Sequence, residues 1–326
     1  PRALPGSEQP SLHWVIWKQQ RRKARGRAMV NNTENRSPKN NYDLTVIIAE
    51  EMASANLRNV FILLQPENYP AVEFLVCSGS DSSLLDGVPD RQNVRIVRAQ
   101  SDSRIPLLWR DGIRAAQAEK VALTTAHCVP SSDWLERLLA YPLEGNQVAV
   151  GGAIENAEND TRIGRVIYLL RYVRYTKSRP SRPAEDLAAD NALYRKADIL
   201  AHEDLLEIGF WEPSFHERFL AEGKSMKFDN ELIVVHHNCY SAKQFVLQRY
   251  SHGIEFGIAR AKAMSGTKRL MMIALSPLIP LVFTRKIMAA ARRDQRFDLG
   301  LNREMGWLLV FVLAWSAGEA VGYIRK

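Results

Sequence analysis

Cysteine is scarce in this 326-residue chain: Cys77, Cys128 and Cys239 lie far apart, and none stands in a Cys-x-x-Cys pair. That spacing excludes a zinc ribbon and argues against a disulfide framework. It suits a reducing compartment, with the three thiols as small buried residues. A secretory pattern is also missing, because Trp14-Val-Ile-Trp17 is too short for the apolar core of a signal peptide. The sequence has no initiating methionine. Met29 precedes Val30-Asn31-Asn32, so residues 1–28 are a candidate addition ahead of the native start. Acids are nearly absent from residues 1–41, which carry nine Lys/Arg against Glu8 and Glu34 and supply most of the net charge of +8. This reads as a disordered basic leader. Such a tail can touch anionic lipid or nucleic acid, but nothing else in the sequence supports nucleic acid as a partner.

The rest is ordinary for a globular protein, 46% apolar and 25% charged. Its length holds one large α/β domain plus an appendage. Short β-branched or apolar runs predict strands at Leu44–Ile48, Val72–Cys77, Val94–Val97, Val121–Thr125 and Val148–Gly152, the last with a close-approach glycine pair. Between them, Leu57, Val60, Phe61 and Leu64 fall at helical spacing within 53–64, and helices are expected over 105–118 and from Trp134 to Ala140. This alternation predicts a mostly parallel sheet covered on both faces. Right-handed crossovers place its strand tips on one edge, where open α/β sheets bind ligands.

The most informative stretch is Val121-Ala-Leu-Thr-Thr-Ala-His-Cys-Val-Pro-Ser-Ser-Asp-Trp-Leu135, a buried strand stopping at a short polar tip. It resembles the metal-site strand of the family-2 glycosyltransferases of GT-A fold, whose tip usually reads Asp-x-Asp before a Cys/Pro turn and a Trp-Leu helix. Here the tip is Thr125-Ala126-His127, with neither carboxylate. The resemblance runs from about Leu44 to Gly257. It implies a GT-A-like, mostly parallel nucleotide-binding sheet flanked by helices over 42–262. Leu44–Glu51 resembles the first strand with its acidic nucleotide-binding end, which makes Glu50 a donor-binding candidate. Leu75-Val-Cys-Ser-Gly-Ser-Asp81 resembles the family's Val-Val-Asp-Asp-Gly-Ser turn with the acids replaced by Cys77 and Ser78. Ser78, Gly79 and Asp81 remain to meet the nucleotide. Leu108-Trp-Arg-Asp-Gly-Ile113 takes the place of the Ala-Arg-Asn-x-Gly segment. Arg110 then either pairs bidentately with diphosphate or forms a surface ion pair with Asp111, itself a donor-site candidate.

Downstream, Asp190-Asn-Ala-Leu-Tyr-Arg-Lys196 resembles the segment beside the acceptor cleft, which brings in Asn191. Gly209-Phe-Trp-Glu-Pro-Ser-Phe-His216 takes the position of the Glu-Asp motif. Inverting sugar transfer needs a carboxylate to take the acceptor hydroxyl's proton, and Glu212 is the assigned base. The competing view is that it only favours the start of a helix. Trp211 and His216 are acceptor-binding candidates, and Glu203-Asp204 is a lower-ranked acidic pair. Ile233-Val-Val-His-His-Asn-Cys-Tyr-Ser241 resembles a strand that carries a histidine in relatives. His127 and His236 are therefore candidate ligands for a divalent cation, Mn2+ or Mg2+, held mainly by substrate phosphates; the bland role is a satisfied hydrogen-bonding imidazole. Gln248-Arg-Tyr-Ser-His-Gly253 is similar to the helix that closes over the donor. There Arg249 either neutralises the leaving diphosphate or sits on the helix surface.

The C-terminal part changes character. The apolar run from about 270 to 284 contains Pro277 and Pro280, which suggests a Pro-broken interfacial or re-entrant segment within a 263–305 region. Arg285, Lys286, Arg292, Arg293, Arg296 and Arg303 follow, and 306–324 is long and apolar enough for one transmembrane helix. Charge bias keeps the catalytic domain on the cytoplasmic side of the cell membrane; the alternatives are a two-helix hairpin or a helix buried on the domain. Ala317, Gly318 and Gly322 would permit close helix packing, and Glu319 would need a partner. Two functions follow. One is a membrane-bound inverting hexosyltransferase using a nucleotide-diphospho-sugar and a lipid-linked or cell-envelope polysaccharide acceptor. The other is a glycosyltransferase-like binding or assembly subunit without turnover.

Overall fold

A computed structural model describes residues 42–51, 56–79, 85, 87–101, 103–158, 161–262, 264–292 and 301–325. Its strands are β1 (Leu44–Glu50), β2 (Val72–Ser78), β3 (Val94–Arg98), β4 (Lys120–Thr125), β5 (Cys128–Pro130), β6 (Gln147–Asn156), β7 (Arg182–Ala184), β8 (Asn191–Arg195) and β9 (Ser225–His236). Its helices are α1 (Asn56–Leu64), α2 (Ile105–Ala115), α3 (Trp134–Ala140), α4 (Arg162–Tyr172), α5 (Lys196–Leu200), α6 (Glu203–Leu206), α7 (Glu212–Ala221), α8 (Ala242–Lys262), α9 (Gly266–Leu275), α10 (Ile279–Ala291) and α11 (Leu301–Ile324).

The strands form one sheet in the order β3-β2-β1-β4-β8-β6-β9-β5, with β7 added on β9. The half from β3 to β4 is parallel throughout. Every residue of β1 and β2 is buried, which is why those strands read as unbroken runs rather than alternating ones. All five strands expected from the sequence are present. The sheet turns mixed beyond β4, because β8 returns antiparallel between β4 and β6. One face is covered by side chains such as Leu57, Trp134 and Tyr168, the other by Leu108, Trp109, Phe215 and Phe219. Gly112 explains how α2 lies so close to the sheet: a Cβ there would meet Ile47 Cγ2. Glu73 is a buried carboxylate whose lone pairs are filled by Thr45 Oγ1 at 2.7 Å, Arg95 and the Gln117 amide at 2.8 Å, as an interior charge requires.

Pro277 and Pro280 each fall in the first turn of a new helical piece, where a missing N–H costs nothing. A 3-10 turn at Ser276–Leu278 joins α9 to α10. Gly266–Ala291 and Met305–Ile324 are both long and apolar enough to cross a membrane. The glycine prediction is met at Gly318 and Gly322, where a Cβ would run into the backbone of Tyr250 and Ile254. Gly253 and Gly257 answer from α8, so the two backbones touch as small residues allow. Ala317 faces outward instead. Glu319 finds its partner in Arg260, at 2.9 Å, and in the Tyr323 hydroxyl.

Gly318→Leu overpacks this contact and is expected to lower stability by about 1–3 kcal/mol, seen as an earlier thermal midpoint. Ala317→Leu on the exposed side should leave the midpoint in place.

Candidate active site

Strand register gathers the site. Ala49 pairs with both Cys77 and Thr125, Glu50 with Ser78, Thr124 with Asn191, and Cys128 with His236. Glu50, Ser78, Thr125–His127, Asp190 and His236 therefore share one edge of the sheet. α4 and α8 carry Arg171 and Arg249 to it.

The centre of that edge is Asp190. It accepts hydrogen bonds from the Tyr172 hydroxyl at 2.8 Å, Arg171 Nη2 at 3.2 Å and Thr125 Oγ1 at 3.5 Å. Burial opposes the charge on Arg171, but Tyr172, Asp190 and Tyr240 around it hold its pKa above the ordinary arginine value. The same guanidinium acts on a ring of neighbours. Burial first, then Arg171, pushes His127 down to about 3 and holds His236 well below the usual imidazole range, so both rings are neutral. Burial, followed by the like charge of Arg171, draws Arg249 down to about 10. Glu51 is raised by burial, against Arg104, Arg171, Arg249 and the Tyr240 hydroxyl, which donates to it at 3.3 Å.

Glu212 lies within the field of Asp190. It occupies the first turn of α7, while the N-cap residue is Trp211, which makes no side-chain capping bond. Burial chiefly, then the negative charges of Asp190 and Asp186, raise Glu212 to about 8, against hydrogen bonds from the backbone N–H groups of Glu212 and Ala189. A carboxyl tuned near neutrality in a cleft has the character of a general base. Trp211 lies beside it, its ring 5.1 Å from His252, which stacks in turn on Trp315 at 6.2 Å.

Other candidates have different places. Asn191 is fully buried and clamps the sheet. Its amide donates to the carbonyls of Ala153 and Leu232, both at 2.9 Å, and accepts from Trp134 Nε1 at 2.8 Å. It is a structural residue, not an acceptor contact. His216 is likewise corrected: it is buried between the Tyr194 hydroxyl at 2.9 Å and Asp186 at 3.1 Å. Arg110 lies in mid-helix, bound to Asp111 at 2.7 Å and to the Glu207 carbonyl at 3.1 Å, so the surface ion pair engages its fork. Glu203 pairs with Arg114 and Asp204 with Arg218 on the exterior. Ser78 is buried at the β2 tip, and a Cβ on Gly79 would strike the Gln100 carbonyl, so that turn needs glycine. Asp81 lies outside the described residues.

The donor set does not fit a hard divalent cation. Mn2+ and Mg2+ favour oxygen ligands, but the strand tip offers Thr125, Ala126 and His127, and Asp190 is engaged by Arg171 and Tyr172. His127 Nδ1 and both His236 ring nitrogens lack protein partners, yet His236 packs on the Tyr172 ring at 5.0 Å, and both imidazoles face a guanidinium's field. Among the described residues no three His, Cys, Asp or Glu side chains converge as ligands. Sequence reasoning missed Arg171, Asp190 and Glu51. The available signals were a lone arginine within the apolar stretch Val166–Val173 and an acid one residue before Asn191.

The fold, with a charged cleft at its strand tips, defines a GT-A-type domain. Residues 74–200 match the profile of glycosyl transferase family 2. No curated protein sequence matches the chain. Among solved structures, the mannosyltransferase PcManGT from Pyrobaculum calidifontis, in complex with GDP-Man and Mn2+, aligns over 94% of this chain and 94% of its own length. The TM-score is 0.51 at 13% sequence identity, and at that identity the likeness is one of fold.

Asn191→Ala strands one indole donor and two carbonyls in the core, at about 1–3 kcal/mol for each unsatisfied group. Urea unfolding should show a loss of at least about 2 kcal/mol. Unchanged stability would return Asn191 to the cleft as a binding residue.

Proposed function

We propose that this glycosyltransferase moves a hexosyl group, with inversion, from a nucleotide-diphospho-sugar to a lipid-linked or polysaccharide acceptor at the membrane surface. The observation that carries this reading is Glu212, half-buried in the field of Asp190 with its carboxyl raised to about 8. In the transfer, Glu212 removes the proton of the acceptor hydroxyl as that oxygen attacks the anomeric carbon from the face opposite the diphosphate. The bond from the anomeric carbon to the phosphate oxygen breaks, and its electron pair leaves with the nucleoside diphosphate. Trp211 offers an indole face on which the acceptor sugar stacks. The choice of a nucleotide-sugar donor is supported by the family match and by the GDP-Man bound in PcManGT.

Membrane attachment is supported by two apolar surfaces. Leu270 is 68% exposed, and Leu278, Leu281, Val282 and Phe283 continue that face, while Trp307, Leu309, Val310 and Leu313 form the outward face of α11. The inward face of α11 is fastened to α8, whose Arg249, His252, Glu255 and Arg260 are poor company for hydrocarbon. That packing favours helices seated in the bilayer surface over a lone span. Arg285, Lys286 and Arg292 beside them suit anionic lipid on the cytoplasmic side. The binding-subunit reading draws on the missing tip carboxylates. A carboxyl raised toward neutrality by burial and by Asp190 speaks for turnover.

Glu212→Gln should lower transfer by about 10²–10⁴-fold while nucleotide binding, followed by calorimetry, stays within about twofold; full turnover would remove the base assignment. The base acts only when ionised, and its pKa in the free protein is about 8. Below that value kcat/KM should therefore fall about tenfold per pH unit, and above it the profile should flatten. A profile flat from pH 6 to 9 would contradict this role.

A further inference from the structure

We propose that His216 is a positioning residue for the transfer: through Asp186 it fastens the loop 185–190 to α7 and so sets where Glu212 and Asp190 stand relative to each other. The proposal rests on Glu212 as the base, argued above, and goes beyond it in naming what holds that base.

The first support is a chain of hydrogen bonds that crosses from the loop to the helix. The Tyr175 hydroxyl donates to Asp186 Oδ2 at 2.6 Å. His216 Nδ1 lies 3.1 Å from Asp186 Oδ1, and Nε2 meets the Tyr194 hydroxyl at 2.9 Å. Nδ1 also lies 3.4 Å from the Leu187 amide nitrogen. The bond to a carboxylate is the shorter and the stronger, so the proton on Nδ1 points to Asp186. Burial opposes the charge on Asp186, but the bonds from His216 and Tyr175 hold its carboxyl below the usual range. The imidazole is buried and stacks on the Tyr194 ring at 6.0 Å, so both of its nitrogens are committed to protein partners.

The second support is where the loop is tied. It runs from β7 to β8, and its far end, Asp190, is held at the strand tips by Tyr172 and Arg171. Its near end, Asp186, is held to α7 by His216. Between the two, Leu187 packs directly on β6, where a Cβ on Gly151 would meet Leu187 Cδ2. A short span fixed at both ends and pressed onto the sheet in the middle has little slack.

The third support is helical spacing. Glu212 and His216 stand one turn apart on α7 and share a face of it. The face that takes the loop at His216 therefore also presents Glu212 to it. The titratable groups whose fields reach Glu212 are Asp190, Asp186, Tyr175 and Tyr194. Each of them is a member of this chain or the end of the loop that the chain fastens. In this role His216 exchanges no proton with the reactants. It keeps the carboxylate in reach of the acceptor hydroxyl, where a misplacement of about 1 Å costs about a hundredfold.

An Asn side chain puts its amide nitrogen near the place of Nδ1 and a Gln side chain near that of Nε2, so the two ring nitrogens can be tested one at a time. The test is release of nucleoside diphosphate from GDP-mannose, UDP-glucose and dTDP-glucose by the full chain in detergent, with decaprenyl phosphate or water as acceptor. His216→Asn, which keeps the bond to Asp186, should hold kcat within about threefold. His216→Gln, which keeps only the bond to Tyr194, should lower kcat about 10–100-fold and leave KM for the donor within about twofold. Asp186→Ala cuts the same bond from its half-exposed end and should match His216→Gln, which carries the test where His216→Gln does not fold. In a Glu212→Gln background, His216→Gln should cost nothing further, because it acts through the base. Equal losses in His216→Asn and His216→Gln, or a full further loss in the Glu212→Gln background, overturn the proposal and leave the base assignment standing. Full turnover by Glu212→Gln, or no release from any donor, removes the base reading and the proposal with it.

Discussion

The contact between Asp190 and Arg171 is the interaction on which the rest of the cleft depends. An acid at the head of β8 and a guanidinium from α4 would each be an expensive charge in a water-poor setting. Together, with the Tyr172 hydroxyl and Thr125 filling further lone pairs of the carboxylate, they form a fixed dipole at the strand tips. Its charges add to what burial does to the groups around it. Burial is the larger cause in each case; Asp190 then adds to the raised carboxyl of Glu212, and Arg171 to the lowered imidazoles of His127 and His236 and the lowered guanidinium of Arg249.

The same geometry ties chemistry to the C-terminal helices. Arg249 and His252 lie on α8, and α8 is held along its back by α11 through glycine contacts that admit no side chain. His252 is flanked by Trp211, one residue from Glu212, and by Trp315 of α11. A displacement of α11 therefore reaches Trp211, next to Glu212, and Arg249 by the same helix. Well-packed elements of this kind shift as units rather than bend, so the apolar face of α11 and the cleft share one support.

The parallel half of the sheet was legible because strands buried on both faces leave apolar runs with nothing to interrupt them. The place of Glu212 at a helix start was legible from Pro213, which suits a first turn. Asn191 and His216 misled: polar side chains with fixed partners in the core look, one residue at a time, like polar side chains waiting for a ligand. Arg171 escaped notice because α4 reads as an ordinary helix, and only the fold brings its end to a strand tip 46 positions earlier in the chain.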